Sequence, residues 1–150
     1  MIFTTKSPEE TEEVGRLLAK KLDTAGVLRA FIALRGEMGV GKTAFTRGFA
    51  SHFGISSVKS PTYTIVNEYR GKSSIFHFDM YRIDGCDDLY SIGFDDYIER
   101  DGYAIAEWSE NIEDFLPDGV IYVTISRIPE QNEKRNIEIT LDRNYENIGI

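Results

Sequence analysis

The chain has 150 residues, of which 41% are hydrophobic and 28% charged, a balance that supports one folded domain and argues against disorder. The net charge of −8 argues against a protein that holds nucleic acid by itself, since such proteins need basic faces to neutralise phosphates. A single cysteine, Cys86, cannot form an internal disulfide. The N-terminal residues lack the apolar segment of a signal peptide, and no apolar run reaches membrane-spanning length. We therefore expect a reduced, cytoplasmic protein without membrane contact.

The first fifty residues predict a helix, a buried strand and a second helix. Ser7 and Pro8 are typical of a helix start, and apolar residues then recur at helical spacing until Gly26. The continuous apolar run at 30–34 predicts a strand that is buried on both faces, as in a parallel sheet covered by helices. A second amphipathic helix is predicted over 42–53, ended by the glycine that follows.

The rest of the chain predicts strands with short helices between them. The strands are expected at 64–69, 74–81, 103–106, 120–126 and 136–141. The first two flank a glycine- and serine-containing turn and are expected to form a hairpin. The segment 87–100 is expected to be helical in two pieces that break near Gly93. This order predicts one α/β domain over residues 1–150, with a mixed central sheet flanked by helices.

The segment GEMGVGKT at 36–43 fits the phosphate-binding pattern G-x-x-x-x-G-K-[ST] in full. Its glycines let backbone N–H groups line a concave anion site, and the following helix adds the positive end of its dipole. Lys42 is expected to reach the β- and γ-phosphates, and Thr43 to give its hydroxyl to Mg²⁺. Because the backbone does the binding, the side chains at the variable positions are expected to matter little. The loop follows a predicted strand and opens a predicted helix, so we expect a P-loop NTPase domain.

A phosphate loop needs a carboxylate for the metal, usually at the end of a neighbouring strand. Asp79 and Glu107 each follow an apolar strand, and strand ends of one polarity share the ligand crevice of an open sheet. One acid is expected to hold Mg²⁺, directly or through water, while the other orients the attacking water. The residues alone leave open which acid does which, and either one taken singly could be a solvated loop residue.

The segment Ser60-Pro61-Thr62 lies where nucleotide switches place a stretch that senses the γ-phosphate. The hydroxyls of Ser60 and Thr62 suit a metal or phosphate oxygen, but an ordinary strand-entry loop explains the same residues equally well. His77 alternates with two phenylalanines and is interpreted as a strand residue instead of a base. Trp108 is expected in the core or on a partner surface.

Four segments in chain order, GEMGVGKT, SPTYTIVNEY, HFDMYR and AEWSE, together resemble the bacterial TsaE (YjeE) family. The resemblance runs over nearly the whole chain. It implies a small Mg²⁺-dependent ATPase that is required for threonylcarbamoylation of the adenosine beside the anticodon in tRNAs that read ANN codons. It also implies the partner proteins TsaD and TsaB, with tRNA contacted indirectly through their complex.

The resemblance also implies roles for residues at matching positions. Lys42, Asp79, Glu107 and Thr62 are the expected catalytic residues. The metal is expected at Thr43 and Glu107, with Asp79 as a further candidate. Thr11 and Arg135 are expected near the adenine end of ATP. The full set of expected ATP-binding residues is Thr11, Gly36, Glu37, Met38, Gly39, Val40, Gly41, Lys42, Thr43, Ala44 and Arg135.

Three other functions remain open from the sequence. A small-molecule kinase of this fold usually carries an arginine-bearing lid, whereas the inserted segment at 85–100 is mostly acidic. A GTPase usually carries an N-K-x-D segment after a late strand, and the sequence has none. A nucleotide-sensing module that hydrolyses slowly overlaps with the ATPase, since a lone subunit can depend on partners for activity.

Overall fold

The computed structural model describes residues 1–149 and, among these, the side chains of all but residues 146 and 147. The strands are β1 (Ile2–Thr5), β2 (Arg29–Arg35), β3 (Val66–Arg70), β4 (Ser74–Asp79), β5 (Gly102–Glu107), β6 (Ile121–Ile128) and β7 (Gln131–Thr140). The helices are α1 (Pro8–Thr24), α2 (Lys42–Ser51), α3 (Cys86–Ser91) and α4 (Phe94–Glu99), and 3₁₀ segments lie at Ser109–Phe115 and Arg143–Ile148. No helix in this described part combines the length and the apolar character needed to cross a membrane.

The strands form one mixed sheet in the order β1-β7-β6-β2-β5-β4-β3. The inner strands β6, β2, β5 and β4 are parallel, whereas β7, β1 and β3 are attached antiparallel at the two sides. The carboxyl ends of the four parallel strands therefore lie along one edge, where open α/β sheets bind their ligands. The predicted α/β fold with a mixed central sheet is confirmed, as is the hairpin of β3 and β4.

Both faces of the sheet are covered. On one face α1 and α2 pack over a core that includes Leu18, Phe45, Phe49, Ile32, Ile75 and Ile105. On the other face α3, α4 and the first 3₁₀ segment pack over a core that includes Phe31, Phe76, Phe78, Leu89, Phe94 and Ile112. Because side chains alternate along a strand, His77 of β4 points to the α1 and α2 face, between the two phenylalanines that point away from it.

The two helices on the first face cross at glycines. A Cβ atom on Gly48 of α2 would lie 1.9 Å from the carbonyl oxygen of Glu12 in α1, and one on Gly15 of α1 would lie 2.2 Å from the carbonyl oxygen of Phe45. Real Cβ atoms do not approach backbone so closely, so the crossing requires glycine on both helices. The start of α1 is capped by Ser7, whose hydroxyl accepts the Glu10 N–H at 3.2 Å, as the sequence predicts.

The hairpin strands differ from the prediction at one end each. The first begins at Val66 instead of residue 64, because the N–H groups of Thr64 and Ile65 both donate to the Pro61 carbonyl in a turn. Ile65 then takes a φ of 71°, which is incompatible with a strand. The second ends at Asp79 instead of residue 81, because the chain turns there: the Tyr81 N–H donates to Asp79 Oδ1 at 2.9 Å, and the Ile83 N–H donates to the Met80 carbonyl at 3.1 Å.

Two strands at the β1 side were not fully predicted. β7 begins at Gln131 instead of residue 136, and β1 has no counterpart among the predicted elements. Residues 131–136 are polar and show no apolar alternation, so they become a strand only through pairing. Thr5 of β1 and Arg127 of β6 are both register partners of Arg135.

Candidate functional site

The loop between β2 and α2 has the backbone that its glycine pattern predicts. Gly39 and Gly41 have φ values of 74° and 122°, in the region that favours glycine. Gly36 must also lack a side chain, because a Cβ there would lie 2.5 Å from the Ile125 carbonyl oxygen. Gly41 is the N-cap of α2 and has no side chain to occupy the first-turn N–H groups. Those N–H groups and the helix dipole make an anion site.

A cavity of about 550 Å³ opens beside this loop at the carboxyl edge of the sheet. Its lining combines the loop, the segment after α2 and the ends of β4 and β5, and consists of Met38, Gly39, Gly41, Lys42, Thr43, Ser60, Thr62, Asp79, Tyr81, Glu107 and Trp108. The structure therefore gathers the predicted lysine, threonine and carboxylate side chains in one place. The volume is that of a pocket for a small molecule.

The Lys42 ammonium is buried at the bottom of the loop, with 7% of the residue exposed. Its Nζ donates to the Gly36 carbonyl oxygen at 2.7 Å and lies 3.8 Å from Glu107 Oε1. The Trp108 ring centroid is 5.0 Å from the same nitrogen, within cation–π range. A buried ammonium needs such partners, and together they hold Lys42 at the cavity wall.

The two predicted acids stand side by side. Asp79 and Glu107 are register partners at the last positions of β4 and β5, so both point to the face that carries the loop. Glu107 is the deeper one, 7% exposed, and its Oε2 is 2.8 Å from His77 Nε2. Asp79 is half-buried, and its Oδ1 accepts the Tyr81 N–H at 2.9 Å. The predicted convergence of the acids on the loop is thus present, with unequal surroundings.

The Ser60-Pro61-Thr62 segment forms part of the cavity wall. The hydroxyls of Ser60 and Thr62 are 2.7 Å apart, and both residues line the cavity. Arg82 holds the segment in place by donating from Nη2 to the Thr62 carbonyl at 3.0 Å. The segment is therefore a strand-entry turn that also presents two hydroxyls to the cavity, and its contact with a γ-phosphate stays a prediction.

Thr11 and Arg135 lie together beside the loop, at a second cavity of about 100 Å³. The two cavities share Gly39 and Gly41 in their linings. Thr11 is 2% exposed, and its hydroxyl is 2.9 Å from that of Thr5. Arg135 donates from Nε to the Val40 carbonyl at 2.9 Å. Arg135 therefore supports the backbone of the loop, on the side where the family resemblance implies the adenine end of a nucleotide.

The variable positions of the loop are not equivalent. Glu37 and Met38 are exposed, and Met38 lines the larger cavity, so the small effect expected of these two side chains stays a prediction. Val40 is 1% exposed and belongs to the core under α1 and α2, so the expectation is wrong for this position. Ala44, the second residue after Lys42, is also buried, at 7% exposure, and packs within α2 instead of lining either cavity.

Two aromatic side chains have contacts that the sequence did not predict. Trp108, expected in the core or on a partner surface, is half-buried and lines the cavity. It has the left-handed backbone angles φ 57° and ψ 35°, and its ring lies edge-on to that of Tyr81 at 5.1 Å. His77 lies in β4 as predicted, but its hydrogen bond to Glu107 was missed. The sequence did contain a signal for this contact. His77 and Asp79 are two residues apart on one strand, so His77 shares a face with the predicted pair of acids.

A glycine loop between a central strand and a helix, opposite two acids at the ends of neighbouring parallel strands, defines this chain as a protein of the P-loop NTPase fold. A family described as threonylcarbamoyl adenosine biosynthesis protein TsaE matches residues 5–137. The chain belongs to the TsaE family.

Individual relatives agree with this membership. The tRNA threonylcarbamoyladenosine biosynthesis protein TsaE of Bacillus subtilis (strain 168) is 37% identical over 140 residues, which cover 92% of this chain and 84% of that protein. The protein of the same name from Haemophilus influenzae is 39% identical over 127 residues, covering 83% and 77%. The crystal structure of Bacillus subtilis YdiB matches with a TM-score of 0.79 at 30% identity, covering 99% of this chain and 90% of that one.

Proposed function

We propose that this chain is a Mg²⁺-dependent ATPase that acts in the biosynthesis of threonylcarbamoyladenosine in tRNA, as an accessory protein of a TsaB–TsaD complex. Family membership and the names of the relatives support the place in tRNA modification. The observation that carries the ATPase is the convergence on one cavity of Lys42, at the start of α2, with two carboxylates from the ends of β4 and β5.

The triphosphate of ATP would lie against the glycine loop. The N–H groups at the start of α2 supply hydrogen-bond donors and the helix dipole, and Lys42 supplies a full positive charge at the cavity wall. The smaller cavity with Thr11 and Arg135 adjoins the same loop through Gly39 and Gly41. We assign that side to the adenosine end of ATP.

The oxygen atoms at the cavity fit Mg²⁺. Thr43 offers a hydroxyl, and Glu107 and Asp79 offer carboxylates, which are the hard ligands that this ion prefers. Among residues 1–149, no group of three or more His, Cys, Asp and Glu side chains is arranged to hold a metal by itself. The protein would thus contribute few ligands, leaving the others to phosphate oxygens and water, as is usual for Mg²⁺. When bound, the ion would neutralise negative charge on the phosphates.

The chain's own residues suffice for the other tasks of phosphoryl transfer to water. Lys42 would bind the transferred phosphate and stabilise its charge, since catalysis here is largely positioning and electrostatics. Glu107, the deeper acid, is assigned to the metal side, and Asp79 to holding the attacking water by accepting its hydrogen bond. The Thr62 hydroxyl on the facing wall would contact the terminal phosphate or the metal.

Indirect contact with tRNA agrees with the charge of the chain. A net charge of −8 is unfavourable for holding nucleic-acid phosphates, whereas a protein attached to an enzyme complex need not hold them itself. A titration of the isolated chain with tRNA is expected to show no tight binding. Tight, salt-dependent binding without partners would exclude this part of the proposal.

Hydrolysis assays with and without partners test the function directly. The chain is incubated with ATP or GTP and Mg²⁺, alone and with purified TsaB and TsaD. ATP is expected to be preferred, and the rate is expected to rise when the partners are present. A rate unaffected by partners would contradict the accessory role, preference for GTP would favour a GTPase, and phosphate transferred to an added nucleoside or sugar would favour a kinase.

A further inference from the structure

β4 carries a polar side chain, His77, at a fully buried position of the sheet. His77 is 0% exposed, and its flanking residues Phe76 and Phe78 are apolar. Burial of an imidazole costs free energy unless hydrogen bonds within the protein replace those that its nitrogens made to water. One of them does, because Nε2 is 2.8 Å from Oε2 of Glu107.

The surroundings of the second ring nitrogen, Nδ1, indicate which of the two nitrogens carries the proton. Nδ1 is buried and has no hydrogen-bond partner among the described residues. If the ring proton lay on Nδ1, a buried donor would be unpaired and the Nε2 lone pair would face a carboxylate oxygen. With the proton on Nε2, the ring makes a charge-assisted hydrogen bond to Glu107 and only an acceptor is left unpaired. The geometry therefore favours His77 as a donor through Nε2.

This hydrogen bond divides the two oxygens of Glu107 between two partners. Oε2 faces His77, and Oε1 faces Lys42 with 3.8 Å between Oε1 and Nζ. His77 reaches Glu107 diagonally across the sheet, since the register partner of His77 is Ile105 and that of Glu107 is Asp79. The carboxylate is thus held from the sheet side while its other oxygen points to the loop.

We propose that His77 is a positioning residue that fixes the Glu107 carboxylate through Nε2–H and so directs Oε1 toward Lys42 and the phosphate side of the cavity. The catalytic part of this inference rests on the proposed ATPase function, whereas the hydrogen bond itself does not. A buried carboxylate that loses its donor must find another partner, and here Lys42 is the near one. Without His77, the freed Oε2 is expected to rotate to the Lys42 ammonium, which displaces Oε1 from the orientation that turnover needs.

Kinetics of three variants in the full chain test the role. His77→Leu removes the donor, His77→Gln returns an amide N–H near the position of Nε2, and Ile75→Ala disturbs the same face of the same strand without touching Glu107. We expect His77→Leu to lower kcat about 10–100-fold, as losses of such supporting hydrogen bonds do, with little change in KM for ATP. His77→Gln is expected to recover most of kcat, and Ile75→Ala to lower thermal stability while keeping kcat.

Two comparisons would overturn the role. If His77→Leu keeps the wild-type kcat, or if His77→Gln is as slow as His77→Leu, the donor does not position Glu107. In a Glu107→Gln background, His77→Leu is expected to cause no further loss of kcat, since it acts through that carboxylate. The same fold-loss in both backgrounds would mean that His77 acts through other contacts.

A spectroscopic measurement separates this inference from the ATPase proposal. The chain has two histidines, so ¹⁵N spectra of the imidazoles, assigned with His77→Gln, report the tautomer of His77 directly. We expect the proton on Nε2 and a shift of its signal in Glu107→Gln. A proton on Nδ1 would overturn the inference even if the chain hydrolyses ATP. Absence of ATPase activity even with TsaB and TsaD present, together with an Nε2 proton, would overturn the proposed function while leaving the hydrogen bond established.

Discussion

Glu107 and Lys42 form a buried ion pair, with 3.8 Å between Oε1 and Nζ and less than one-tenth of either side chain exposed. One residue ends β5 and the other begins α2, so the pair joins the sheet to the loop. Because water is largely excluded, the removal of either partner leaves the other charge uncompensated. Substitution of either residue is therefore expected to disturb the other. The property that is lost differs, since we expect Lys42 to affect nucleotide binding and Glu107 to affect turnover.

Lys42→Ala is expected to weaken nucleotide binding strongly. Charge-assisted hydrogen bonds contribute about 1.5–3 kcal/mol each, so the loss of the ammonium corresponds to roughly 10–100-fold in affinity, or more if two phosphates are contacted. Isothermal titration calorimetry with ATP and Mg²⁺ measures this loss of affinity. Lys72→Ala, at the exposed turn between β3 and β4, is the matched control, and an affinity that falls equally in both variants would contradict the role of Lys42.

Glu107→Gln is expected to impair turnover while ATP still binds. A carboxylate that acts in a proton or metal step contributes typically 10²–10⁴-fold, so we expect kcat to fall by about 100-fold or more. Glu110→Gln, three residues later on the exposed 3₁₀ segment, is expected to be silent. Normal hydrolysis by Glu107→Gln would show that its assignment is wrong. Loss of Mg²⁺ dependence in Asp79→Asn instead would exchange the roles of the two acids.

Gly48→Ala is expected to destabilise the fold and to loosen the side of the site that α1 supplies. The new Cβ would meet the Glu12 carbonyl oxygen at 1.9 Å, so the helices must separate, and overpacking of this kind costs about 1–3 kcal/mol. Since Thr11 lies in α1 beside Gly41, ATP affinity is expected to fall as well. Gly85→Ala, where nothing lies within 4 Å of the added atom, is the control. Equal unfolding midpoints in chemical denaturation would contradict the close crossing.

Tyr103 is expected to make the fold sensitive to alkali. Burial, with a smaller contribution from the negative charge of Asp23, raises the pKa of Tyr103 to about 12, and its hydroxyl donates to the Val27 carbonyl at 2.6 Å. The unfolded chain has the ordinary pKa of about 10, so the folded state binds more protons between these values. The stabilisation is complete below pH 10 and is lost as pH rises toward 12.

The comparison of Tyr103→Phe with wild type measures this effect. Denaturation at several pH values is expected to show a smaller alkaline loss of stability in the variant, and ultraviolet titration of tyrosinate to show the loss of the component with the highest pKa. Tyr63→Phe, which alters a residue that is 93% exposed, is expected to change neither. An alkaline loss in Tyr103→Phe equal to that in wild type would assign the sensitivity to other groups.

Features that are local in the chain were predictable from the sequence. The glycine loop follows an apolar run and precedes an amphipathic helix, so its backbone, its helix and its place at a strand end all come from neighbouring residues. Asp79 and Glu107 were predictable for the same reason, since each directly follows a buried strand. That both acids face the loop follows from parallel order, which continuous apolar runs indicate.

Features that depend on pairing between distant segments were not predictable. β1 is too short and the first half of β7 too polar to show a periodic pattern. β1 forms by pairing with residues 135–138 of β7, and the start of β7 forms by pairing with β6. The contact between His77 and Glu107 depends on strand register, and a shift of one residue would turn the side chain to the other face. The burial of Val40 depends on how α2 packs, whereas its position in the motif indicates only a variable residue.

The left-handed backbone of Trp108 has a consequence for the evolution of this position. Bulky residues are disfavoured in that conformation by roughly 1–2 kcal/mol, whereas glycine and asparagine adopt it readily. A screen of substitutions for abundance alone is therefore expected to enrich glycine and asparagine at position 108. The indole that lies over Lys42 is absent from such variants, so a screen for growth that requires the modified tRNA would rank the same substitutions in a different order. We therefore expect selection for folding and selection for activity to oppose each other at position 108.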